Sequence, residues 1–501
     1  MLQAYEIASV GPIKIDDSLD LLTVPSSPLF SMTEPAHSSS SQATSQQRKT
    51  ASTQLINWQQ FAQSLSPIKT LIAPTQLSKL SKDYYYFSPI LAAQLEDKVG
   101  DLVACPRNEA EVIKVAKACV AAKVPLTIRG AGTGNYGQAI PLAGGVILDL
   151  SDMDAVKWVI PGRACVEPGA KLAAIDRVTR PQGWEIRMAP STYRTATIGG
   201  FVGGGSGGIG SVMYGQLADR GSIQSVRVVT MEDTPQVVEL RGDDVQKVSH
   251  AYGTNGIITE LEIPLGPAYP WAEVIVTFDE FMSAARFGQA LGEADGIIKK
   301  LISIHAWPIP SYFNALKNFL PSGKAAALLI VSEADIEALN ALVNEWNGEI
   351  TYERGEQAAN KGATIAEFTW NHTTLHARNV DEKLTYLQTV FPYDPELALL
   401  QRMHEHFGDE VIMHLEYLRS QGRIVPAALQ LVRYTTPERL AEIIDYHERE
   451  GAFIANPHTY ILEDGGRKTI DENQLKFKEK VDPYGLLNPG KMRGWLERYS
   501  N

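Results

Sequence analysis

The sequence predicts an α+β protein in which an amino-terminal tail precedes two folded regions of mixed helices and strands. Three observations support this prediction. The chain has 501 residues, more than one ordinary domain uses. Hydrophobic residues make up 44% of it and charged residues 21%, which is typical of chains that build packed cores. Beyond the tail, short apolar runs of strand length alternate with amphipathic stretches of helical period.

The first 54 residues carry no periodic apolar pattern and end in a stretch rich in serine, glutamine and threonine. Such a composition buries too little surface to offset the entropy lost on ordering, so we expect a disordered tail. The tail lacks a basic start followed by an apolar core, and Asp16, Asp17 and Asp20 are atypical of a transit peptide. No targeting segment is therefore predicted.

Composition and charge exclude several classes of protein. No apolar run approaches the roughly 18 residues that a membrane-spanning helix needs. The net charge of −12 argues against nucleic acid as the main partner, because phosphate binding favours a basic face. Cys105, Cys119 and Cys165 form no C-x-x-C pair, so neither a disulfide framework nor a cysteine zinc site is indicated. We therefore expect a cytoplasmic protein without a membrane span.

The first folded region shows a regular alternation of helices and strands. Asn108 followed by Glu111 is typical of a helix start, and an apolar stripe of helical period runs on to Val120. Apolar runs that indicate strands lie at residues 125–128, 146–150, 156–160 and 223–229. The pattern predicts an α/β region.

The second folded region has a different pattern. Strand-like runs lie at residues 274–278, 301–304, 326–331, 411–415 and 428–432. Capped helices are predicted after Ser332 and after Thr436, which is followed by proline. This mixture predicts a second, α+β region in a split arrangement.

Glycine is concentrated in one part of the chain, since 19 of the 40 glycines lie between Gly130 and Gly221. The first loop there, RGAGTGNYG at 129–137, has Asn135 where a dinucleotide-binding motif has its third glycine, and no helical period follows. It also lacks the G-K-[ST] of a P-loop, although successive backbone N–H groups can still bind an anion. The second loop is TIGGFVGGGSGGIG at 197–210. Two such loops predict an extended ligand that is flat or phosphorylated, whereas the first loop alone could be a tight turn.

Seven segments occur in the order found in the flavoproteins of the vanillyl-alcohol oxidase and p-cresol methylhydroxylase (PCMH-type) family. They are ACPRNEAEV from Ala104, TIRGAGTGNYG from Thr127, VEPGAKL from Val166, TIGG with its glycine run from Thr197, YGQLAD from Tyr214, GTNGIITELEIPL from Gly253 and DPYGLLNPGKM from Asp482. The chain most resembles the branch of the glycolate oxidase flavin subunit, D-lactate dehydrogenase and D-2-hydroxyglutarate dehydrogenase. The resemblance is close over 102–265 and in the closing segment, and loose between them.

The resemblance implies a PCMH-type FAD-binding domain of two α/β subdomains at 55–268 and a ferredoxin-like α+β substrate cap at 269–465. A closing segment, 466–501, would return to the flavin. The residues implied in FAD binding are Arg129, Gly130, Ala131, Gly132, Thr133, Gly134, Asn135, Thr197, Ile198, Gly199, Gly200, Asp219, Gly256, Ile257, Ile258, Asn488 and Lys491. Some members attach FAD to a histidine at the position of Thr133, so the resemblance implies non-covalent FAD here.

Histidines are enriched in the second region, where seven of the ten lie between His372 and His458. His372 and His376 would share one helix face, and His414 and Glu416 would point the same way along a strand. Flavin oxidation of an alcohol needs a base for the hydroxyl proton. We therefore predict His414, Glu416, His458 and His372 as catalytic candidates.

The hydroxy-acid branch of the family carries a divalent metal site built from the motifs H-x-G-D-G-N-x-H and E-H-G. His414 matches the first histidine, but Glu416, Leu418 and Gln421 break the first motif, and N-P-H at 456–458 replaces the second. We therefore predict no metal. A set of His414, Glu416 and His458 stays as the alternative, because imidazole and carboxylate suit zinc or manganese.

The resemblance implies an FAD-dependent oxidoreductase that transfers a hydride from a small hydroxylated substrate to flavin N5. A 2-hydroxy acid such as glycolate or D-lactate is the predicted substrate, with Arg378 and Arg419 as candidates to clamp its carboxylate. One alternative is an oxidase or dehydrogenase of a sugar, lactone or other alcohol, which is favoured if no arginine reaches the site. Another is a non-catalytic flavin-binding regulatory protein.

Overall fold

The structure of this chain is a computed structural model that describes residues 56–205, 207–359, 364–467 and 469–499. The predicted disordered tail, residues 1–54, lies outside the described residues. In the described ranges, no helix has the length and apolar character that crossing a membrane requires.

The described helices are distributed along the whole of this range. They are α1 (Trp58–Ser64), α2 (Pro74–Leu80), α3 (Pro89–Leu95), α4 (Glu109–Ala122), α5 (Leu172–Thr179), α6 (Ile198–Gly204), α7 (Ser211–Tyr214), α8 (Phe281–Glu293), α9 (Ile336–Glu345), α10 (Glu356–Ala359), α11 (Asn371–Val380), α12 (Ala398–Phe407), α13 (Pro437–Arg449), α14 (Glu472–Val481) and α15 (Arg493–Tyr499). The predicted starts of α4 and α13 are confirmed, since Asn108 caps Glu111 and Thr436 caps Arg439. These caps satisfy backbone donors that a helix end would otherwise leave unpaired.

The first sheet has four strands in the order β1-β2-β4-β3. The strands are β1 (Lys69–Leu71), β2 (Leu102–Cys105), β3 (Leu126–Arg129) and β4 (Val146–Asp149). β4 pairs in parallel with β2 and β3, and α4 supplies the long crossover that parallel strands need. The closing segment reaches this sheet, because the Asn488 N–H donates to the Leu126 carbonyl at 2.7 Å. It therefore lies beside β3, which leads into the first glycine loop.

The second sheet has six strands, in the order β5-β6-β10-β8-β9 with β7 also paired to β10. They are β5 (Val156–Ile160), β6 (Arg163–Val166), β7 (Trp184–Ile186), β8 (Ser225–Val229), β9 (Val237–Arg241) and β10 (Ile257–Pro267). All of these pairings are antiparallel. Of these two sheets of the described residues, the first thus contains the parallel pairs and the second is antiparallel.

The remaining strands form an eight-stranded and a three-stranded antiparallel sheet. They are β11 (Trp271–Phe278), β12 (Lys299–His305), β13 (Ala325–Ser332), β14 (Glu349–Arg354), β15 (Leu384–Tyr386), β16 (Thr389–Val390), β17 (Val411–Ile412), β18 (His414–Ser420), β19 (Arg423–Ala428), β20 (Leu431–Arg433) and β21 (Phe453–Ile454). The large sheet has the order β14-β11-β13-β12-β18-β19-β16-β21, and the small one β15-β20-β17. Ile209 and Val212, which follow the glycine run of the second loop, pack into the core of the large sheet. That core joins the glycine-rich region to the second half of the chain.

Candidate functional site

A cavity of about 880 Å³ lies between the two glycine loops and the large sheet. Both loops line it, together with residues of strands β16, β18, β19 and β21. A volume of this size is within the range of pockets that hold a drug-sized ligand or a cofactor.

The first loop follows β3 and wraps around its last residue, Arg129. The Arg129 side chain is buried and donates to the carbonyls of Lys82 at 2.7 Å and Ala131 at 3.5 Å. Burial lowers the pKa of this guanidinium. Gly132 has φ +67°, and a Cβ atom there would lie 2.1 Å from an Arg129 nitrogen. Glycine is required at this position because the loop passes directly over the guanidinium.

The first loop presents unused hydrogen-bond donors to the cavity. Within the described part of the chain, no group accepts from the backbone N–H groups of residues 131–135. The side-chain Nδ2 of Asn135 is also buried without a partner. These residues line the cavity, so the loop offers several convergent donors to an anion. This arrangement fits a bound pyrophosphate.

The second loop contains the short helix α6. Thr197 caps it by accepting the N–H of Gly200 at 3.3 Å. Gly199 packs against Pro168, but a Cβ atom at Gly203 or Gly204 would meet nothing within 4 Å. The last two glycines therefore leave room in the cavity for a ligand to lie against bare backbone.

The wall opposite the loops is uncharged. Within residues 370–455, the described lining residues are Trp370, Asn371, Gln388, Thr389, Val390, Leu418, Ala427, Ala428, Leu429, Phe453 and Ala455. The phenol of Tyr136, from the first loop, donates to Gln388 Oε1 at 2.5 Å. This hydrogen bond links the loop side of the cavity to the sheet side.

A buried polar cluster adjoins that wall through Trp370. Glu416 Oε1 accepts from the Trp370 N–H at 2.6 Å and the Ser303 hydroxyl at 2.7 Å, and lies 2.9 Å from His414 Nε2. His305 faces His414 across the pairing of β12 with β18, and Ser303 faces Glu416. Burial lowers the pKa of His305 well below its ordinary value, so this imidazole stays neutral.

Residues 100–239 match the family model of the FAD binding domain. The match covers both glycine loops, whose free donors and open glycines are described above. The chain carries an FAD-binding domain. The matched range contains the first loop, the second loop and strands β2, β3 and β4 of the first sheet.

Curated relatives with similar sequences include two glycolate oxidase subunits and a dehydrogenase. Glycolate oxidase subunit GlcD of Escherichia coli K12 is 30% identical over 207 residues, which cover 39% of this chain and 41% of that protein. GlcD of Bacillus subtilis is 26% identical over 78% of this chain and 88% of its own length. The mitochondrial D-lactate dehydrogenase [cytochrome] of Arabidopsis thaliana is 27% identical over 40% of this chain and 36% of its own. The matches to the Escherichia coli and Arabidopsis proteins thus span less than half of those relatives.

Solved structures with a similar fold include an alkyldihydroxyacetonephosphate synthase, with a TM-score of 0.66 and 16% identity. It aligns over 86% of this chain and 85% of its own. A BBE-like 1 protein of Physcomitrella patens has a TM-score of 0.61 and 13% identity, over 86% of this chain and 98% of its own. These likenesses show that the FAD-binding domain and the second region share the fold of these proteins.

Twelve of the 17 residues implied in FAD binding line the cavity: Arg129, Gly130, Ala131, Gly132, Thr133, Gly134, Asn135, Thr197, Gly199, Gly200, Gly256 and Ile258. Ile198 and Ile257 are buried in the hydrophobic cores beside it. Asp219 is exposed and accepts the N–H of Gln216 at 2.8 Å, so it closes a turn rather than the cavity wall.

Asn488 and Lys491 were predicted to return to the flavin, and they lie behind the first loop instead. Asn488 donates to the Gln138 and Tyr252 carbonyls, and Lys491 donates to the Gly137 carbonyl. Neither residue lines the cavity. Burial lowers the pKa of Lys491 to about 7. Both side chains thus use their donors to hold the loop.

None of the four predicted catalytic side chains lines the cavity. His414 and Glu416 belong to the buried cluster. His458 is held elsewhere, between the Ser88 hydroxyl at 2.8 Å and the Tyr386 carbonyl at 2.9 Å. His372 lies on α11, as the spacing predicts, and burial lowers its pKa to about 4.

The alternative metal set is not brought together. Both ring nitrogens of His458 have other partners, and the rings of His305 and His414 are stacked at 4.5 Å with 14° between their planes. His458 is thus engaged apart from His414 and Glu416, so the three predicted ligands do not meet. No group of three histidine, cysteine, aspartate or glutamate side chains in the described ranges could hold a metal ion.

The two predicted substrate arginines are engaged away from the cavity. Arg378 donates to the Leu384 carbonyl and lies over the Phe87 ring. Arg419 is paired with Asp295 at 2.6 Å. Their contacts hold helix α11 and strand β18 in place, and neither guanidinium lines the cavity.

The lining residues that sequence reasoning missed include Tyr136, His250, Trp370 and Gln388. Two of them had a detectable signal, because His250 precedes the GTNG segment and Tyr136 lies within the first loop. Trp370 and Gln388 lie in the loosely resembling region and could be placed only by the packing of the large sheet against the loops.

Proposed function

We propose that this protein is an FAD-dependent oxidoreductase that removes a hydride from the CH–OH group of a small hydroxylated molecule. The observation that carries the proposal is a continuous cavity with a donor-rich glycine loop at one side and an uncharged sheet wall at the other. The names of the curated relatives, which include a glycolate oxidase subunit and a D-lactate dehydrogenase, support the same reaction class.

FAD, when bound, accepts the hydride at N5. The chain's own residues supply binding and orientation. The N–H groups of residues 131–135 would hold the pyrophosphate, and Gly203 and Gly204 would allow the cofactor to approach the backbone. The buried apolar residues of the sheet wall, Leu418 and Leu429 among them, would exclude water from the reacting carbon.

The hydroxyl proton needs an acceptor as the hydride leaves. Burial raises the pKa of Tyr136 well above its ordinary value, so this phenol stays protonated and serves as a hydrogen-bond donor. His250 supplies an imidazole to the described cavity lining. Imidazole is the side chain whose ordinary pKa suits proton transfer near neutral pH, so we propose His250 as the acceptor.

Two substrate classes are proposed. The relatives' names favour a 2-hydroxy acid such as glycolate or D-lactate. The uncharged sheet wall favours an alcohol without a carboxylate, because a buried carboxylate requires a cationic partner and the arginines that line the cavity, Arg129 and Arg220, do not belong to that wall. Lactones and sugars with an apolar face belong to this second class. The geometry supports the uncharged alcohol better.

Anaerobic mixing of the FAD-loaded protein with both substrate classes tests the proposal. We expect loss of flavin absorbance near 450 nm with at least one uncharged alcohol, and slower or no loss with glycolate and D-lactate. His250→Gln should slow the loss by about 100-fold or more, the usual contribution of a general base. Thr192→Ser, which alters another lining residue without adding charge, is the matched control.

Three results would change this proposal. Bleaching by 2-hydroxy acids alone would favour the hydroxy-acid class. Bleaching at an unchanged rate in His250→Gln would remove His250 from the proton step. No bleaching across the panel, with FAD fully bound, would favour a non-catalytic flavin-binding role.

A further inference from the structure

Trp370 has a backbone conformation that L-amino acids rarely adopt. Its φ is 51° and its ψ is −139°, a region populated essentially by glycine. A bulky residue there costs free energy and persists only when its surroundings hold it. Trp370 also lines the cavity, and its indole carbon Cη2 would lie 3.1 Å from a Cβ atom at Gly207 in the second loop. The strained residue thus faces the FAD-binding domain.

Glu416 accepts a hydrogen bond from the backbone of this strained residue. Its Oε1 accepts the Trp370 N–H at 2.6 Å, and its side chain is about 1% exposed. A buried carboxylate requires several donors. The Ser303 hydroxyl at 2.7 Å and the His414 ring nitrogen at 2.9 Å point to the same oxygen. The contacts with Ser303 and His414 hold the Glu416 carboxylate in the position from which it accepts the Trp370 N–H.

The first turn of α11, which begins directly after Trp370, is tied to the same cluster. The Thr373 hydroxyl donates to the Phe368 carbonyl at 2.7 Å and lies 3.3 Å from His305 Nε2. The Thr373 N–H donates to the Trp370 carbonyl at 3.1 Å. The backbone on both sides of Trp370 is thus anchored to β12 and β18.

We propose that Glu416, with His414 and Ser303 behind it, is a positioning residue that holds the Trp370 indole in the cavity wall against the second glycine loop. Glu416 does not itself line the cavity and acts on the cavity wall through the Trp370 N–H. The inference rests on the FAD site but not on the proposed substrate or reaction. It gives the His414–Glu416 pair a role that requires neither proton transfer nor a metal.

Fluorine NMR of the full chain, labelled with 5-fluorotryptophan and loaded with FAD, tests this positioning. The Trp370 resonance is the one missing from Trp370→Phe. In Glu416→Leu the N–H loses its acceptor, so we expect the Trp370 resonance to shift or broaden while the other tryptophan resonances stay. Glu416→Gln keeps an oxygen that can accept the N–H and should restore the wild-type resonance. An unmoved Trp370 resonance in Glu416→Leu overturns the proposal.

Glu273→Leu is the matched control, because Glu273 is a buried carboxylate of the same sheet that accepts the N–H of Ile365 at 3.2 Å. It should lower stability without moving the Trp370 resonance.

If Glu416→Leu folds too poorly for NMR, the comparison moves to a Trp370→Gly background, where glycine adopts the backbone without strain. We expect Glu416→Leu to lower the denaturation midpoint less in that background than in the wild type. Equal losses in both backgrounds overturn the proposal.

Discussion

At the scale of single residues, His458 is a buried imidazole with both ring nitrogens in hydrogen bonds, to Ser88 and to the Tyr386 carbonyl. Burial lowers its pKa from 6.5 to about 4. Between these two values the unfolded chain binds more protons than the folded one, so acidification favours unfolding. The stability that His458 contributes is fully present above pH 6.5 and is lost as the pH falls towards 4.

His458→Gln tests this dependence. Glutamine does not titrate, so we expect the free energy of unfolding to fall less steeply between pH 6.5 and 4 in this variant than in the wild type. The difference should approach roughly 3 kcal/mol at the acidic end, at about 1.4 kcal/mol for each pH unit. Denaturant titrations at several pH values measure it. The exposed His406 provides the control variant, His406→Gln. If the free energy of unfolding depends on pH equally steeply in the wild type and in His458→Gln, the account is contradicted.

At the scale of elements, helix α6 is intrinsically weak. Four of its seven residues are glycine, and each glycine in a helix costs roughly 0.5–1 kcal/mol relative to alanine. The helix is held at its start, where Thr197 caps it and the Gly199 N–H donates to the Pro168 carbonyl at 2.9 Å. Its last glycines, at 203 and 204, face open space in the cavity. We expect α6 to gain stability when FAD lies against it.

Hydrogen exchange measures that gain directly. Amide exchange over Ile198–Gly204 should slow by at least about tenfold when FAD binds, which corresponds to about 1.4 kcal/mol of added local stability. Helix α8, Phe281–Glu293, contributes no residue to the cavity lining and serves as the internal reference. Equal exchange in α6 with and without FAD would show that the second loop does not contact the cofactor.

Elements were predicted from the sequence more completely than the site they build. Periodicity marks a strand where β18 begins, and helix α11 gives His372 and His376 the shared helix that their spacing allows. The partners of their side chains depend on pairing with β12, which is more than one hundred residues away from β18. Local patterns carry no information about such pairing. For this reason His414 and Glu416 were predicted as catalytic, although their side chains face a buried cluster.

At the scale of the whole molecule, the cavity joins parts of the chain that lie far apart in sequence. The glycine loops could be predicted from the sequence because glycine density marks close approach of a ligand. The opposite wall could not be predicted, because it is made of ordinary apolar residues such as Leu418 and Ala428 that only packing brings to the loops. The prediction of an FAD cofactor therefore depended on the loops, whereas the substrate class depends on the wall.

The central claim is that FAD occupies this cavity, and Gly204→Leu tests it most directly. A Cβ atom at Gly204 would meet no protein atom within 4 Å, so we expect the leucine variant to fold and its side chain to fill space that the cofactor needs. Gly296→Leu is the matched control, because Gly296 also has open space around it and does not line the cavity. Titration of each apoprotein with FAD, followed by flavin fluorescence, gives the dissociation constants. The account predicts that FAD binds Gly204→Leu at least about 100-fold more weakly, a loss of about 2.7 kcal/mol, and that it binds Gly296→Leu as it binds the wild type. Wild-type affinity in Gly204→Leu would contradict the account.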